Sequence, residues 1–332
     1  MKDVARIAKE RQQMNEIIRA FFVSRGYTEV EVPVLVQSPG MEPDLVPFET
    51  SVLTAAGVRI KASLITSPEY SMKKLLGNGM QKIFTITKAF RNAEHFGGEH
   101  NPEFSMLEWY QQGADYQACM DETAELVREV CAAFGRDILV PEKVRVRDLF
   151  LDLAGIDLNV AKKDDLIERC REVGVHVDEQ DSESDLFYRL FLTQVEPHLN
   201  KKTIFLYDYP VYQAALAALT SDARFGQRFE LYVNGLEICN GFTELTDPAE
   251  QKARFLEEAA VRRLQGKTVF PIDEKLLELL PSLANPTFGN ALGIDRLHML
   301  ATGQTSIEDV LLFSAKELFQ NSTTPPLHHL TT

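Results

Sequence analysis

Residues 228–233 and 236–245 form two apolar, strand-like segments, and between them stand Asn234 and Gly235. An Asn-Gly pair in this setting is the strongest short-range signal for a β-hairpin, because a type I′ turn needs positive φ at both central residues. An antiparallel strand pair is therefore predicted, and other strand segments surround it. Residues 83–90 and 104–110 are apolar runs separated by the polar, glycine-containing stretch 91–103, which reads as strand, loop, strand. Residues 203–209 form another such run. Residues 27–36 alternate Val30, Val32 and Val34 against Glu29 and Glu31, with Pro33 marking an edge. Strands outnumber βαβ units, so the predicted fold class is α+β, a mainly antiparallel sheet flanked by helices.

Helical spacing puts Ile7, Met14, Ile17, Ile18, Phe21 and Phe22 on one face of residues 4–25, and Gly26 follows as a C-cap. A short strand at residues 64–65 leads into the turn Thr66-Ser67-Pro68-Glu69 and a helix over 70–76. A further helix over 120–134 stops at Gly135. Asp247, Pro248 and Glu250 supply an N-cap, a proline at N1 and an acid at N3 for a helix ending near Gly266. Residues 291–302 pass from strand into helix, closed by Gly303. Residues 141–200 are charged and helix-rich, and we read them as an insertion into a single domain spanning 1–320. Residues 321–332, with Ser, Thr, Pro and a His pair, are expected to fray.

Composition removes several function classes. A chain of 332 residues buries a large core without staples, and its four cysteines are far apart with no CxxC pattern, which excludes a disulfide scaffold and argues against zinc. No run approaches the roughly 18 apolar residues that span a bilayer. The N-terminus has no apolar signal segment, so a cytoplasmic location is expected and no membrane partner. Forty-nine acidic against 35 basic residues, a net charge of −14, lower the expectation of a protein that coats polyanions. Neither GxxxxGK[ST] nor GxGxxG occurs, so a nucleotide would bind without a P-loop or a Rossmann turn.

Three polar clusters carry candidate chemistry. Arg91 at the end of one strand and Phe104 at the start of the next could clamp a phosphate by a bidentate fork and stack a purine; an exposed hairpin loop is the other reading of this stretch alone. Glu230 and Glu237, on opposite arms of the Asn-Gly hairpin, are an oxygen pair suited to magnesium on a triphosphate. A solvated hairpin face would account for Glu230, but not for Glu237 or Glu244, which lie in an apolar, glycine-rich run. Around Gly289, Ala291 and Gly293, small residues let a ligand approach the strand, and Arg296 opens the helix that follows.

These stretches resemble the motifs of class II aminoacyl-tRNA synthetases: Glu29 to Pro33 motif 1, Phe90-Arg91 through Phe104 motif 2, and Gly293-Ile294-Asp295-Arg296 motif 3. Asn101-Pro102-Glu103-Phe104, Glu108-Trp109-Tyr110 and Asn240-Gly241-Phe242-Thr243-Glu244-Leu245 are similar to the lysyl branch, and the match runs in order from about residue 10 to 315. Departures accompany it. With the motif 1 proline already at residue 33, no room is expected for an N-terminal anticodon-binding domain. Pro210-Val211-Tyr212-Gln213 stands where the synthetases read Pro-Val-Glu-x, and Ala291 stands where they carry Gly. The motif 2 loop is also unusual, with Ala93 where Glu is common and one extra residue, which puts the contacts of Glu94 and Glu99 in doubt. With Ser67-Pro68-Glu69-Tyr70, these features resemble the truncated lysyl-tRNA synthetase paralogues that attach (R)-β-lysine to elongation factor P.

The resemblance implies an ATP-dependent ligase working through an aminoacyl-adenylate, with ATP and Mg2+. It implies that Arg91 holds the α-phosphate, Arg296 the γ-phosphate end, and Phe104 the adenine, with Asn92, Asn101, Ile238 and Gly293 nearby. Glu230 and Glu237 would hold magnesium. Glu69, Glu108, Glu244 and the Tyr110 hydroxyl suit the two ammonium groups of (R)-β-lysine or lysine; Glu244 and Tyr110 are expected at the distal one, and Ser67, Pro68 and Glu69 at the one near the carboxylate. Asn240 and Ala291 complete the amino-acid site, and the Ala291 methyl is expected to favour a β- over an α-amino acid, with a neutral packing change as the alternative. Elongation factor P is the expected acceptor, without stable tRNA binding, and motif 1 implies a homodimer. A lysine-activating ligase for tRNA or a small molecule, and an inactive synthetase-like regulator, remain the competing readings.

Overall fold

The structure, a computed structural model, describes residues 2–214 and 216–319; the expected frayed tail, 321–332, lies outside the described residues. Its strands are β1 (Thr28–Glu29), β2 (Leu35–Val36), β3 (Glu49–Leu53), β4 (Arg59–Leu64), β5 (Lys82–Phe90), β6 (Glu103–Gln112), β7 (Glu142–Arg145), β8 (Thr203–Pro210), β9 (Phe225–Val233), β10 (Leu236–Thr243) and β11 (Thr287–Gly293). Its α-helices are α1 (Val4–Ser24), α2 (Glu69–Gly77), α3 (Tyr116–Ala133), α4 (Val146–Leu149), α5 (Lys163–Glu172), α6 (Glu183–Leu190), α7 (Pro248–Leu264), α8 (Glu274–Leu279), α9 (Ile294–Thr302) and α10 (Ala315–Phe319).

Asn234 and Gly235 take φ of 55° and 84°, so the expected tight turn joins β9 to β10. That hairpin sits inside an eight-stranded sheet of order β1-β5-β6-β11-β10-β9-β8-β7. The five inner pairings are antiparallel, and only the outermost, β1 with β5 and β7 with β8, are parallel. The sheet is thus mainly antiparallel and flanked by helices, as the sequence predicts.

Alternation along each strand divides the sheet into two faces. On one face Leu107 and Trp109 of β6, Leu292 of β11 and Phe229 and Leu231 of β9 meet the apolar stripe of α1, together with α3 and α9, in the largest core cluster. Trp109 is fully buried there, and its indole N–H donates to Glu122 at 3.0 Å, so its polar end is satisfied. Helix ends follow the sequence: Asp115 caps α3 and Asp247 caps α7 by accepting from backbone N–H groups. The opposite face is a trough. At one end α2 packs Met72 and Leu76 on Ile83 and Tyr110, and at the other residues 146–199 build a second cluster against Leu206, Tyr209 and Tyr232, with Phe150 stacked on Phe187 at 4.5 Å.

Two local expectations differ from the structure. The strand over residues 27–36 is broken: residues 28–29 pair with β5, residues 35–36 join β4 in a separate three-stranded sheet, and Pro33, which has no N–H to give a ladder, stands between. Val30 and Val32 instead pack on the α2 cluster. The β3–β4 hairpin was not expected, because β3 is largely exposed and shows no buried alternating face. No helix among the described residues is long and apolar enough to cross a membrane.

Side chains crowd the helix face of the sheet at Gly241. A Cβ there would lie 2.6 Å from the Phe229 ring and 2.9 Å from the Asn290 amide. Gly241→Ala should destabilise the protein by about 1–3 kcal/mol, the usual cost of overpacking a core. Chemical denaturation would show this as a lower midpoint at unchanged slope, and an unaltered midpoint would contradict the close approach.

Candidate active site

One row of side chains crosses the trough. Glu108 on β6 pairs with Ala291 on β11, Ala291 with Asn240 on β10, and Asn240 with Glu230 on β9. Phe104, Tyr110, Gly289, Gly293 and Phe242 fall on the same face by the period of two.

At one end are the arginines. Arg91 follows β5, anchored by its N–H donating to the Pro102 carbonyl at 2.9 Å. Its guanidinium carbon lies 5.2 Å from the centre of the Phe104 ring, and its Nε is buried without a partner. Burial lowers the Arg91 pKa, while the carboxylates of Glu237, Glu94 and Glu42 oppose that. An arginine remains charged nonetheless, so an unsatisfied buried donor here suits an anion. Arg296, in the first turn of α9, donates to the Glu237 carbonyl at 3.0 Å, to the Glu99 carbonyl at 3.4 Å and toward His100 at 3.2 Å, with the Glu237 carboxylate 3.4 Å away. Burial and Arg296 together depress the His100 pKa.

At the other end are buried carboxylates. Glu108 is 1% exposed, and the Tyr110 hydroxyl donates to it at 2.7 Å. Glu244 is equally buried, and its Oε1 has no hydrogen-bond partner. Lys73 of α2 lies 2.5 Å from Glu69 and 2.5 Å from the other oxygen of Glu244. Burial raises the Glu108 carboxyl well above the usual range and pushes Glu244 up to about 8, with Lys73 pulling Glu244 back. A buried carboxylate with an oxygen left unpartnered, as in Glu244, attracts a cation.

Two arginines stand at one end of the trough and buried carboxylates at the other, and the family model of tRNA synthetases class II (D, K and N) matches residues 1–317. The chain belongs to this class II synthetase family. It is also 39% identical over 302 residues to the "Elongation factor P--(R)-beta-lysine ligase" of Salmonella typhi, covering 90% of this chain and 91% of that protein. Proteins of the same name from Enterobacter sp. (strain 638) and Proteus mirabilis are 38% and 40% identical, covering 90% and 89% of this chain and 91% of each.

In synthetase terms, motif 2 supplies β5, its loop and β6, and motif 3 supplies β11 and α9. The structure brings together Arg91, Phe104, Glu237, Arg296 and Gly293 at one end, and Glu69, Glu108, Tyr110, Asn240, Glu244 and Ala291 at the other. Ser67 accepts from the Glu69 N–H at 3.3 Å and Pro68 caps α2, so the Ser-Pro-Glu turn sets the start of that helix. Asn92 donates its N–H to the Val46 carbonyl at 2.7 Å.

Some placements depart from expectation. The Asn101 amide donates to the Glu103 carbonyl at 2.6 Å and accepts from the Ala315 N–H at 2.8 Å, so it ties the end of the motif 2 loop to α10 while keeping a second N–H and a second lone pair. The Ile238 side chain is in the core on the helix side, leaving only its backbone for a ligand. Glu230 and Glu237 are not directly opposed: Glu237 pairs with Tyr232, and a bulge follows before Asn240 pairs with Glu230. Glu230 already accepts from Arg228 at 2.5 Å, Tyr209 at 2.5 Å and Tyr232 at 2.8 Å.

The sequence reading missed Lys73, Arg228 and Glu42. Lys73 stands four residues after Glu69, the helical spacing of an ion pair, and Arg228 two before Glu230 on the same strand face, so both left a signal. A Cβ at Gly289 would collide with the Glu244 carboxylate and the Tyr110 ring, so the glycine makes room for both. Glu42, in an irregular loop, left none.

The raised Glu244 carboxyl has a consequence for stability. It holds its proton more tightly folded than unfolded, so its contribution falls as pH rises from about 4.5 to about 8. Denaturation across this range should show wild type losing stability relative to Glu244→Gln as pH increases; a constant difference between the two would contradict the assignment.

Proposed function

We propose that this synthetase-family chain is an ATP-dependent ligase that activates (R)-β-lysine as its adenylate and transfers it to the ε-amino group of a lysine of elongation factor P, in the cytoplasm. The observation that carries this reading is the buried, unpartnered Glu244 oxygen in a pocket lined by Glu69 and Glu108, which calls for an ammonium group. The acceptor rests on the relatives, which carry elongation factor P in their names.

In the first step the amino-acid carboxylate attacks the α-phosphorus of ATP; a phosphorus–oxygen bond forms, the bond to the β-phosphate breaks and pyrophosphate leaves. The nucleophile is already ionised, so the protein's work is positioning and charge neutralisation. Arg91, with its free buried donor, would grip the α-phosphate, Phe104 would stack the adenine, and Arg296 would exchange Glu237 and His100 for the γ-phosphate. Asn92 and Gly293 would supply contacts beside the nucleotide. Glu69, following Ser67 and Pro68, would take the amino group nearer the carboxylate, and Glu244 with Tyr110 the distal one. In the second step the deprotonated acceptor amine attacks the acyl carbon, an amide forms and AMP leaves.

The carboxylates also fit magnesium, which typically takes one or two protein carboxylates and completes its shell with phosphate oxygens and water. Glu237 is 39% exposed in its side chain, and Glu230 keeps a lone pair on Oε1 alone, since Oε2 accepts from both Tyr209 and Tyr232. Bound with ATP, the ion would neutralise phosphate charge.

A homodimer is part of the proposal, since α1 and the motif 1 segment form a two-fold interface in this class. A groove of about 820 Å³ beside α1, lined by Ile7, Phe48, Phe90 and Phe313 and holding the unpartnered Arg11 Nη1 and Asn15 Oδ1, supports it. Solution scattering should return twice the 37.5 kDa of the chain; a monomer at micromolar concentration would contradict it.

The decisive assay incubates the enzyme, ATP and (R)-β-lysine with elongation factor P or with bulk tRNA. Elongation factor P should gain the mass of one β-lysyl group. Labelled tRNA instead would establish a tRNA ligase, and no pyrophosphate exchange with any diamino acid would establish an inactive regulator. Ala291→Gly should change the β/α preference in exchange by about tenfold, the scale of one methyl group in a pocket. An unchanged preference would reduce Ala291 to packing.

A further inference from the structure

Lys73 is the one buried lysine among the described residues, 1% exposed. Burying an ammonium costs several kcal/mol unless it is well paired, and a scaffold rarely needs one. Here the pairing involves the very groups that the proposed reaction requires. The Lys73 Nζ stands between Glu69 and Glu244, the two carboxylates assigned to the two substrate ammonium groups, and 5.3 Å from the centre of the Phe242 ring.

The surroundings come from every side of the trough. Glu108 and Tyr110 face the cluster from β6, Glu42 from the loop before β3, Arg91 from the end of β5, and Glu258 from α7. Four carboxylates, Glu42, Glu69, Glu108 and Glu244, would not all stay ionised in a buried pocket, because like charges there hold protons for one another. A fixed internal cation changes that balance without occupying the pocket. Since Lys73 engages only one oxygen of Glu244, the Oε1 stays unpartnered.

We propose that Lys73 is a positioning residue for the amino-acid substrate: its ammonium, standing between Glu69 and Glu244, holds the two carboxylates apart and oriented, so that each presents an acceptor to one ammonium group of a diamino acid. The pocket then balances when filled. With Glu108 protonated, Glu42, Glu69, Glu244 and the substrate carboxylate face Lys73, Arg91 and the two substrate ammonium groups. A substrate with one ammonium leaves a buried carboxylate unmatched, so Lys73 sets selection for the doubly charged class.

This inference rests on the reading of the pocket as a diamino-acid site, and its test separates the two. ATP–pyrophosphate exchange with (R)-β-lysine and with lysine is measured from pH 6 to 9.5 for wild type, Lys73→Met and Lys73→Arg. In Lys73→Met the KM for the amino acid should rise at least tenfold at pH 7 while the KM for ATP stays within twofold. The pH at which kcat/KM for the amino acid levels off should move up by about one unit, because the displaced proton is held more tightly. Lys73→Arg should restore most of that shift. Exchange in wild type with neither diamino acid defeats the reading of the site; normal wild-type exchange with an unmoved pH profile in Lys73→Met overturns the role of Lys73 alone. Should Lys73→Met fail to fold, nitrogen-15 spectra of wild type decide. A slowly exchanging lysine ammonium signal that shifts on adding the diamino acid supports the role, and its absence overturns it.

Discussion

Everything in the trough depends on the cross-strand register that aligns Glu108, Ala291, Asn240 and Glu230 on four adjacent strands. Side chains alternate faces with a period of two, so a slip of one residue would turn this row into the helix layer and bring Leu107, Leu292 and Leu231 out into the trough. The register is held by strong apolar demand on the far side, where those leucines and Trp109 meet α1 and α3. It is also held by the Asn234-Gly235 turn, which permits one pairing of β9 with β10. The chemistry of one face is therefore positioned by the packing of the other.

Burying so many charges on one face works against folding. Each carboxylate removed from water costs several kcal/mol unless compensated, and compensation here is local and uneven. Glu230 is fully supported by Arg228, Tyr209 and Tyr232, whereas Glu244 keeps an oxygen without a partner. That contrast distinguishes a carboxylate built into the wall from one that waits for a ligand. Arg91 and its unpartnered Nε make the same distinction among the cations, since Arg228 has each of its nitrogens engaged.

Much of this was legible in the sequence, for physical reasons. The hairpin declared itself because a type I′ turn has so few residue choices, and the antiparallel sheet followed from it. α1, α7 and α9 were readable from apolar spacing and caps. Arg91, Phe104, Glu237, Arg296 and Glu244 stood out because charged or aromatic residues interrupt apolar, glycine-rich strands. What failed was whatever depends on distant partners. The β3–β4 hairpin has no buried alternating face to announce it, and Pro33 splits a segment whose valine alternation looked continuous. The Asn101 amide bonds to Glu103 and to Ala315, 214 residues away, and no local pattern announces the second contact. Lys73, four residues after Glu69, has only the spacing of an ordinary helix ion pair; the return of the chain at Glu244 makes it buried.

The two ends of the trough are prepared for their ligands in different ways, and this bears on the order of events. At the amino-acid end Lys73 and the carboxylates are fixed by neighbours within 2.5 Å, so little reorganisation is left for binding. At the nucleotide end Arg296 is occupied by the Glu237 carbonyl, the Glu99 carbonyl and His100, and the Gly98 carbonyl accepts from the Ile307 N–H at 2.7 Å. On the proposed reading, a triphosphate gripped by Arg296 would displace its side-chain partners, and Glu99 and His100 belong to the motif 2 loop. Nucleotide binding would therefore be coupled to rearrangement of that loop, whereas the amino-acid pocket is already set by its ion pairs.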